Sequence, residues 1–203
     1  MWDHVFQDAK PELDHIFKML DKAPFYPDKD IIFNAFNLCP LQDIKVILMG
    51  QEPYKHNDVG LSFGVDKDAP IPLLLKRLFQ ELKLNGFNAA HGDLSSWAKQ
   101  GVLLINHTLT CGAKSHAEYE LWYGLFNKVF KAITKVNPSC IVVLMGYEAQ
   151  KIKKILPDNF IIIETCLPTH YKYETDFLRC NLFININKLL VEQHKQPIDW
   201  NID

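Results

Sequence analysis

Residues 50–65 read Gly-Gln-Glu-Pro-Tyr-Lys-His-Asn-Asp-Val-Gly-Leu-Ser-Phe-Gly-Val and bring chemically useful side chains close together. Glu52 supplies a carboxylate, Gln51 an amide, and Tyr54 and Phe63 two aromatic rings. The preceding apolar run, Ile44–Met49, has the composition of a buried strand. Glu52 therefore falls just past a strand end, on a turn stiffened by Pro53. An acid, an amide and two rings on one strand-end loop suit a planar ligand that is cleaved beside its ring.

Such a loop needs a frame. Four apolar, β-branched runs stand out: Ile44–Met49, Val102–Ile105, Ile141–Met145 and Phe160–Ile163. None alternates cleanly with polar residues, so all four are expected to be strands covered on both faces. Helical spacing of apolar residues marks Lys10–Leu20, Leu74–Leu84, Glu120–Lys135, Glu148–Leu156 and Leu178–Gln193. This alternation predicts one α/β domain over residues 1–203. Its expected form is three layers around a central four-stranded, mostly parallel sheet of doubly wound type. Ligands of such sheets bind beyond the carboxyl ends of the strands. The loops starting at Gly50, Asn106, Gly146 and Glu164, the last running on to His170, are thus expected to share one cleft.

Bulk properties narrow the class. With 203 residues, 48% hydrophobic and 23% charged, the chain has the make-up of a soluble globular domain. No apolar run approaches the roughly 20 residues that cross a bilayer, and Met1-Trp2-Asp3-His4 lacks the basic start of a secretory signal. Cys39, Cys111, Cys140, Cys166 and Cys180 are odd in number and dispersed, a pattern of reduced thiols rather than of a metal site. A cytosolic or nuclear protein without metal or cofactor is expected. The net charge of −2 gives no global basic surplus, so any nucleic-acid contact has to be local.

Taken in order, several segments resemble family 1 uracil-DNA glycosylases. Gly50–Lys55 and Gly60–Val65 parallel that family's G-Q-D-P-Y-H and G-L-x-F-S-V. Trp97–Asn106 matches W-A-x-Q-G-V-L-L-L-N, Ser115-His116 matches S-H, and Val143–Gln150 resembles L-L-W-G-S-x-A-Q. Asp30–Phe36 and Pro197–Trp200 resemble D-V-F-N-A-F and P-I-D-W. The similarity spans nearly the whole chain, and the order of the motifs makes a chance match untenable.

The resemblance implies hydrolysis of the N-glycosidic bond of a deoxyuridine flipped out of DNA. It assigns Asn106 to the uracil edge, where one amide offers both a donor and an acceptor. Phe63 is placed on the face of the base. Tyr54 lies against C5, where it excludes thymine's methyl by clash. Gln51 contributes mainly through its backbone. Glu52 stands where the family has the aspartate that orients water and balances the cationic sugar. The extra methylene moves the carboxylate by about an ångström, a shift that can cost roughly a hundredfold in rate. The family's catalytic histidine falls on Leu167, which can donate nothing to the departing base. His170, three residues on, is the substitute candidate. Ser115, His116, Thr169 and Lys172 are the implied backbone contacts, and Tyr171 occupies the position of the leucine that fills the vacated stack. The family's other phosphate-pinching serines become Leu74 and Tyr147. The Gln51–Phe63 loop is about two residues shorter than usual, and Asn106–Ser115 about three.

The reading is thus a monomeric uracil-DNA glycosylase with slowed catalysis and uracil-containing DNA as substrate. A proteinaceous inhibitor or a replication protein is the further partner that the family implies. The alternative from the binding class is an inactive homologue that serves as a DNA-binding or protein-interaction module.

Overall fold

A computed structural model describes residues 2–112, 121–170 and 173–203. Along the chain run α1 (Asp3–Asp8), α2 (Lys10–Leu20), β1 (Phe25–Tyr26), α3 (Asn34–Leu38), β2 (Val46–Gly50), α4 (Leu73–Leu84) and α5 (Ser95–Ala98). Then come β3 (Val102–Asn106), β4 (Cys111–Gly112), α6 (Tyr123–Val136), β5 (Ile141–Met145), α7 (Tyr147–Gln150), β6 (Ile161–Thr165), α8 (Tyr173–Asp176) and α9 (Leu182–Glu192).

The four apolar runs form one sheet in the order β3-β2-β5-β6, and every pairing in it is parallel. Val46–Met49 and Ile141–Met145 are 0% exposed at every position, so helices cover both faces of the central strands. The chain winds outward from β2 to β3 and then, beyond β2, from β5 to β6. The topological switch therefore lies between β2 and β5, where the ends of these strands open a crevice. A two-residue antiparallel pair, β1 with β4, adds a small second sheet.

Three details depart from the sequence expectation. β6 ends the sheet and alternates in burial: Ile162 is 37% exposed, and Glu164 forms a solvent-facing ion pair with Lys153 at 3.0 Å. Its outer face is not covered. The expected helix Glu148–Leu156 breaks into α7 and a 3-10 turn over Lys151–Ile155, because Pro157 forces Leu156 into extended backbone. The last helix starts at Leu182 rather than Leu178, since Arg179 and Asn181 hold positive φ of 66° and 55°.

Long-range polar contacts tie this frame together. On α4, the fully buried Glu81 accepts hydrogen bonds from the backbone N–H groups of Arg179 and Leu182 and from the Asn85 amide. Asn85 Oδ1 in turn accepts from Phe183 and Ile184 N–H, so one helix caps the next. Near the C-terminus, Trp97 donates to the Trp200 carbonyl at 3.0 Å, and Gln100 exchanges two 2.8 Å bonds with the Asp199 backbone. Two motifs a hundred residues apart thus clamp the start of β3.

Candidate active site

The parallel register pairs Gly50 with Asn106 at the ends of β2 and β3. Gly50 has no room for a side chain. A Cβ there would lie 2.3 Å from Ser62 Oγ, 2.6 Å from Asn106 Oδ1 and 3.0 Å from Phe63 Cζ. The glycine is therefore the floor on which an amide, a hydroxyl and an aromatic edge converge. Ser62 Oγ donates to Asn106 Oδ1 at 2.7 Å, with both side chains buried. Sequence reading missed Ser62, which fills the unassigned letter of G-L-x-F. Phe63 reaches this position through a left-handed backbone, φ 67°, which costs a non-glycine residue about 1 kcal/mol or more. Strain of this kind persists where surrounding contacts over-determine it. Here the Ser62 N–H donates to the Leu104 carbonyl, and the Val65 N–H to the Gly92 carbonyl.

Gln51 holds its place through its main chain, its carbonyl accepting from Thr108 N–H at 3.2 Å. Glu52 projects to solvent beside the buried Pro53. The ring of Tyr54 packs half-buried against the core, and its hydroxyl is buried. Burial, helped by the nearby Asp58 carboxylate, pushes the Tyr54 phenol well above its ordinary value, so this hydroxyl stays neutral.

Leu167 follows β6 at the same carboxyl edge of the sheet. It packs over Gly146 at the end of β5, its Cβ 3.1 Å from where a Gly146 Cβ would stand. The φ of +88° at Gly146 and its N–H bond to the Thr165 carbonyl set this close approach. His170 is exposed and closes a turn by donating its N–H to the Leu167 carbonyl at 2.8 Å; Thr169 beside it is exposed too. Arg77 on α4 donates to the Pro168 carbonyl at 3.1 Å and anchors this loop. Nothing in the local pattern marked Arg77, because its partner lies 91 residues away. The candidate contacts Ser115, His116, Tyr171 and Lys172 fall outside the described residues.

Among the described residues no group of three His, Cys, Asp or Glu side chains is placed to hold a metal ion, and no helix is long and apolar enough to cross a membrane. A separate cleft of about 390 Å³ lies between α1 and α6. Its polar lining is His4, Asp8 and three lysines, with neither aromatic ring nor amide. The strand-end site brings an amide and an aromatic ring together, with a carboxylate and a second ring on the adjoining loop, a set able to hold a planar base and act beside it.

Residues 36–191 match the Uracil DNA glycosylase superfamily. A uracil-DNA glycosylase of Campylobacter lari is 42% identical over 187 residues, covering 88% of this chain and 80% of that protein. One of Francisella tularensis is 38% identical over 186 residues, covering 87% and 84% respectively. The crystal structure of mimivirus uracil-DNA glycosylase superposes with a TM-score of 0.86 at 24% identity, over 99% of this chain and 86% of that one. A mimivirus UNG variant crystallised in complex with UGI superposes equally well, with a TM-score of 0.86. At that identity these structures speak for the fold.

Proposed function

The chain belongs to the uracil DNA glycosylase superfamily, and on that premise we propose that it hydrolyses the N-glycosidic bond of deoxyuridine in DNA. The observation that carries this reading is the convergence of Asn106 and Phe63 on Gly50, with Tyr54 and Glu52 on the adjoining loop.

In the proposed reaction the deoxyuridine leaves the stack, and its base lies on Phe63 with its edge on the Asn106 amide. Tyr54 guards C5. The C1′–N1 bond breaks with its electron pair going to uracil, which leaves as an anion, while the sugar becomes an oxocarbenium ion. Glu52 balances that positive charge and orients the water that adds to C1′; the water's second proton leaves to solvent or to the uracil anion. Leu167 offers no donor to the leaving base, so the chemical step is slow. His170 is the candidate to supply the missing hydrogen bond by moving in from its exposed turn. Thr169, together with Ser115, His116, Tyr171 and Lys172, is assigned to the DNA backbone and the vacated stack. Metal and cofactor have no part in this scheme. The same cleft is the surface on which an inhibitor protein would compete with DNA, and the enzyme works as a monomer in the cytosol or nucleus.

Release of free uracil from single- and double-stranded uracil-DNA tests the proposal. Wild type is expected to release uracil, and Glu52→Ala to lower the rate by about a hundredfold or more. DNA binding without release at high enzyme concentration overturns the proposal in favour of the binding-module reading.

A further inference from the structure

The loop between the two halves of the site, Gln51–Tyr54 and Gly60–Phe63, is short, and one side chain joins them. Asp58 Oδ2 accepts from the Tyr54 N–H at 2.8 Å, and Asp58 Oδ1 accepts from the Gly60 N–H at 2.7 Å. One carboxylate thus bridges the segment that carries Glu52 to the segment that carries Phe63.

The far side of this clasp is fixed to the fold. Gly60 presses on the chain before α3, where a Cβ would lie 1.9 Å from the Ile31 carbonyl oxygen. Its own carbonyl accepts from Ala35 N–H at 3.1 Å, and the Asn34 amide donates to the Val59 carbonyl at 2.6 Å. A bridge pairs Asp58 with Val65, and the Asp66 N–H donates to the Asn57 carbonyl. On the near side, backbone groups of Gln51–Tyr54 meet residues 108–111. The Thr108 N–H reaches the Gln51 carbonyl, and Cys111 Sγ approaches the Pro53 carbonyl at 3.4 Å. The Asp58 carboxylate thus links the α3-anchored Gly60 to Tyr54, two residues from Glu52.

We infer that Asp58 is a positioning residue of the glycosylase reaction, holding the Glu52 segment in register with the base-stacking segment. This inference rests on the reading of Glu52 as the carboxylate that orients water. Burial raises the Asp58 carboxyl above its ordinary value despite the two N–H donors, so its ionised form costs the folded state stability. Its two acceptor bonds run to the segment that carries Glu52 and to the segment that carries Phe63, the placement that a positioning role requires.

The test compares wild type, Asp58→Asn and Asp58→Ala by steady-state uracil release, thermal melting and amide hydrogen exchange. Asparagine retains one acceptor and alanine none. Turnover is expected to fall about tenfold in D58N and about a hundredfold in D58A, the scale of an ångström misplacement, with KM moving less than about threefold. The melting temperature of D58N is expected to fall by no more than a few degrees, because its amide keeps one of the two N–H bonds. Exchange at Tyr54 or Gly60 N–H is expected to accelerate in both variants. D58N activity within about twofold of wild type overturns the inference, as does activity that merely tracks a falling melting temperature. Should D58A not fold, D58N decides alone. If wild type releases no uracil, the assigned function fails, and unchanged Tyr54 and Gly60 exchange in D58N would still refute the clasp by itself.

Discussion

Ser62 and Asn106 meet across 2.7 Å above Gly50, hydroxyl to amide oxygen, with Ser62 1% and Asn106 7% exposed. The pair fixes the plane of the amide proposed to read uracil before any base arrives, so little ordering remains to be done on binding. Ser62→Ala removes one neutral hydrogen bond worth about 0.5–1.5 kcal/mol. Inhibition by free uracil is expected to weaken roughly three- to tenfold, with little change in the melting temperature. Asn106→Ala deletes the reader itself and is expected to lower kcat/KM by about a hundredfold. Equal inhibition constants for S62A and wild type would show that Asn106 is held without its neighbour.

Stability should hinge on a residue far from the site. Glu81 is 0% exposed and accepts from the backbone N–H groups of Arg179 and Leu182, at the start of α9, and from Asn85. Glu81→Ala leaves these donors buried and without that acceptor, at about 1–3 kcal/mol each before relaxation. A loss of about 3–5 kcal/mol is expected, read as a lower urea midpoint at unchanged slope. Glu81→Gln keeps one acceptor and should lose about half as much. A loss under about 1 kcal/mol in E81A would mean that water replaces the carboxylate freely.

What the sequence disclosed and what it hid follow from the range of the interactions. The strands β2, β3 and β5 were legible because burial on both faces leaves an unbroken apolar run, and α2 because its apolar stripe repeats locally. Glu52, Tyr54, Phe63 and Asn106 could be placed because strand ends and motif letters mark them. Ser62, Asp58, Arg77 and Glu81 were not legible. Ser62 meets a partner 44 residues away, Arg77 one 91 away, and Glu81 the segment before α9. A polar side chain with a distant partner carries no local periodicity. Asp58 acts locally, but its i–4 and i+2 backbone partners belong to an irregular turn that no periodicity marks.

Acid should separate Asp58 from the other carboxylates. Burial raises its folded-state value above the ordinary 3.8. The sign follows: the folded state holds this proton more tightly than the unfolded chain does. The stability Asp58 contributes is full below 3.8 and is lost as pH rises through its folded value. Asp58→Asn cannot ionise and escapes that loss. The stability of D58N relative to wild type is therefore expected to grow as pH rises above 3.8 and to level off once pH has passed the folded-state value. Urea titrations at about half-unit steps from pH 4 to 7 would measure it. A constant difference would show that Asp58 titrates alike in both states.

The sharpest prediction concerns Leu167, which packs over Gly146 where the sequence resemblance places a histidine. The loop around it is already held: His170 N–H bonds the Leu167 carbonyl, and Arg77 bonds the Pro168 carbonyl. Neither contact uses the Leu167 side chain, so a replacement there should leave the backbone in place. Leu167 is half-buried, and the exchange gives up some apolar packing against Gly146, with a modest fall in melting temperature. In return Leu167→His places a donor where negative charge develops on the leaving uracil. Such a donor is typically worth about 2.7–4 kcal/mol, or roughly a hundred- to a thousandfold in turnover. Single-turnover uracil release is expected to rise on that scale, with KM little changed because the bond strengthens only as the base departs. The gain should vanish in a Leu167→His, Glu52→Ala double variant, since a donor to the base cannot replace the charge that balances the sugar. A single variant no faster than wild type would mean either that position 167 does not face the leaving base or that His170 already performs the task. Comparing Leu167→His with His170→Ala decides between these, because only in the second case does His170→Ala lose the residual rate.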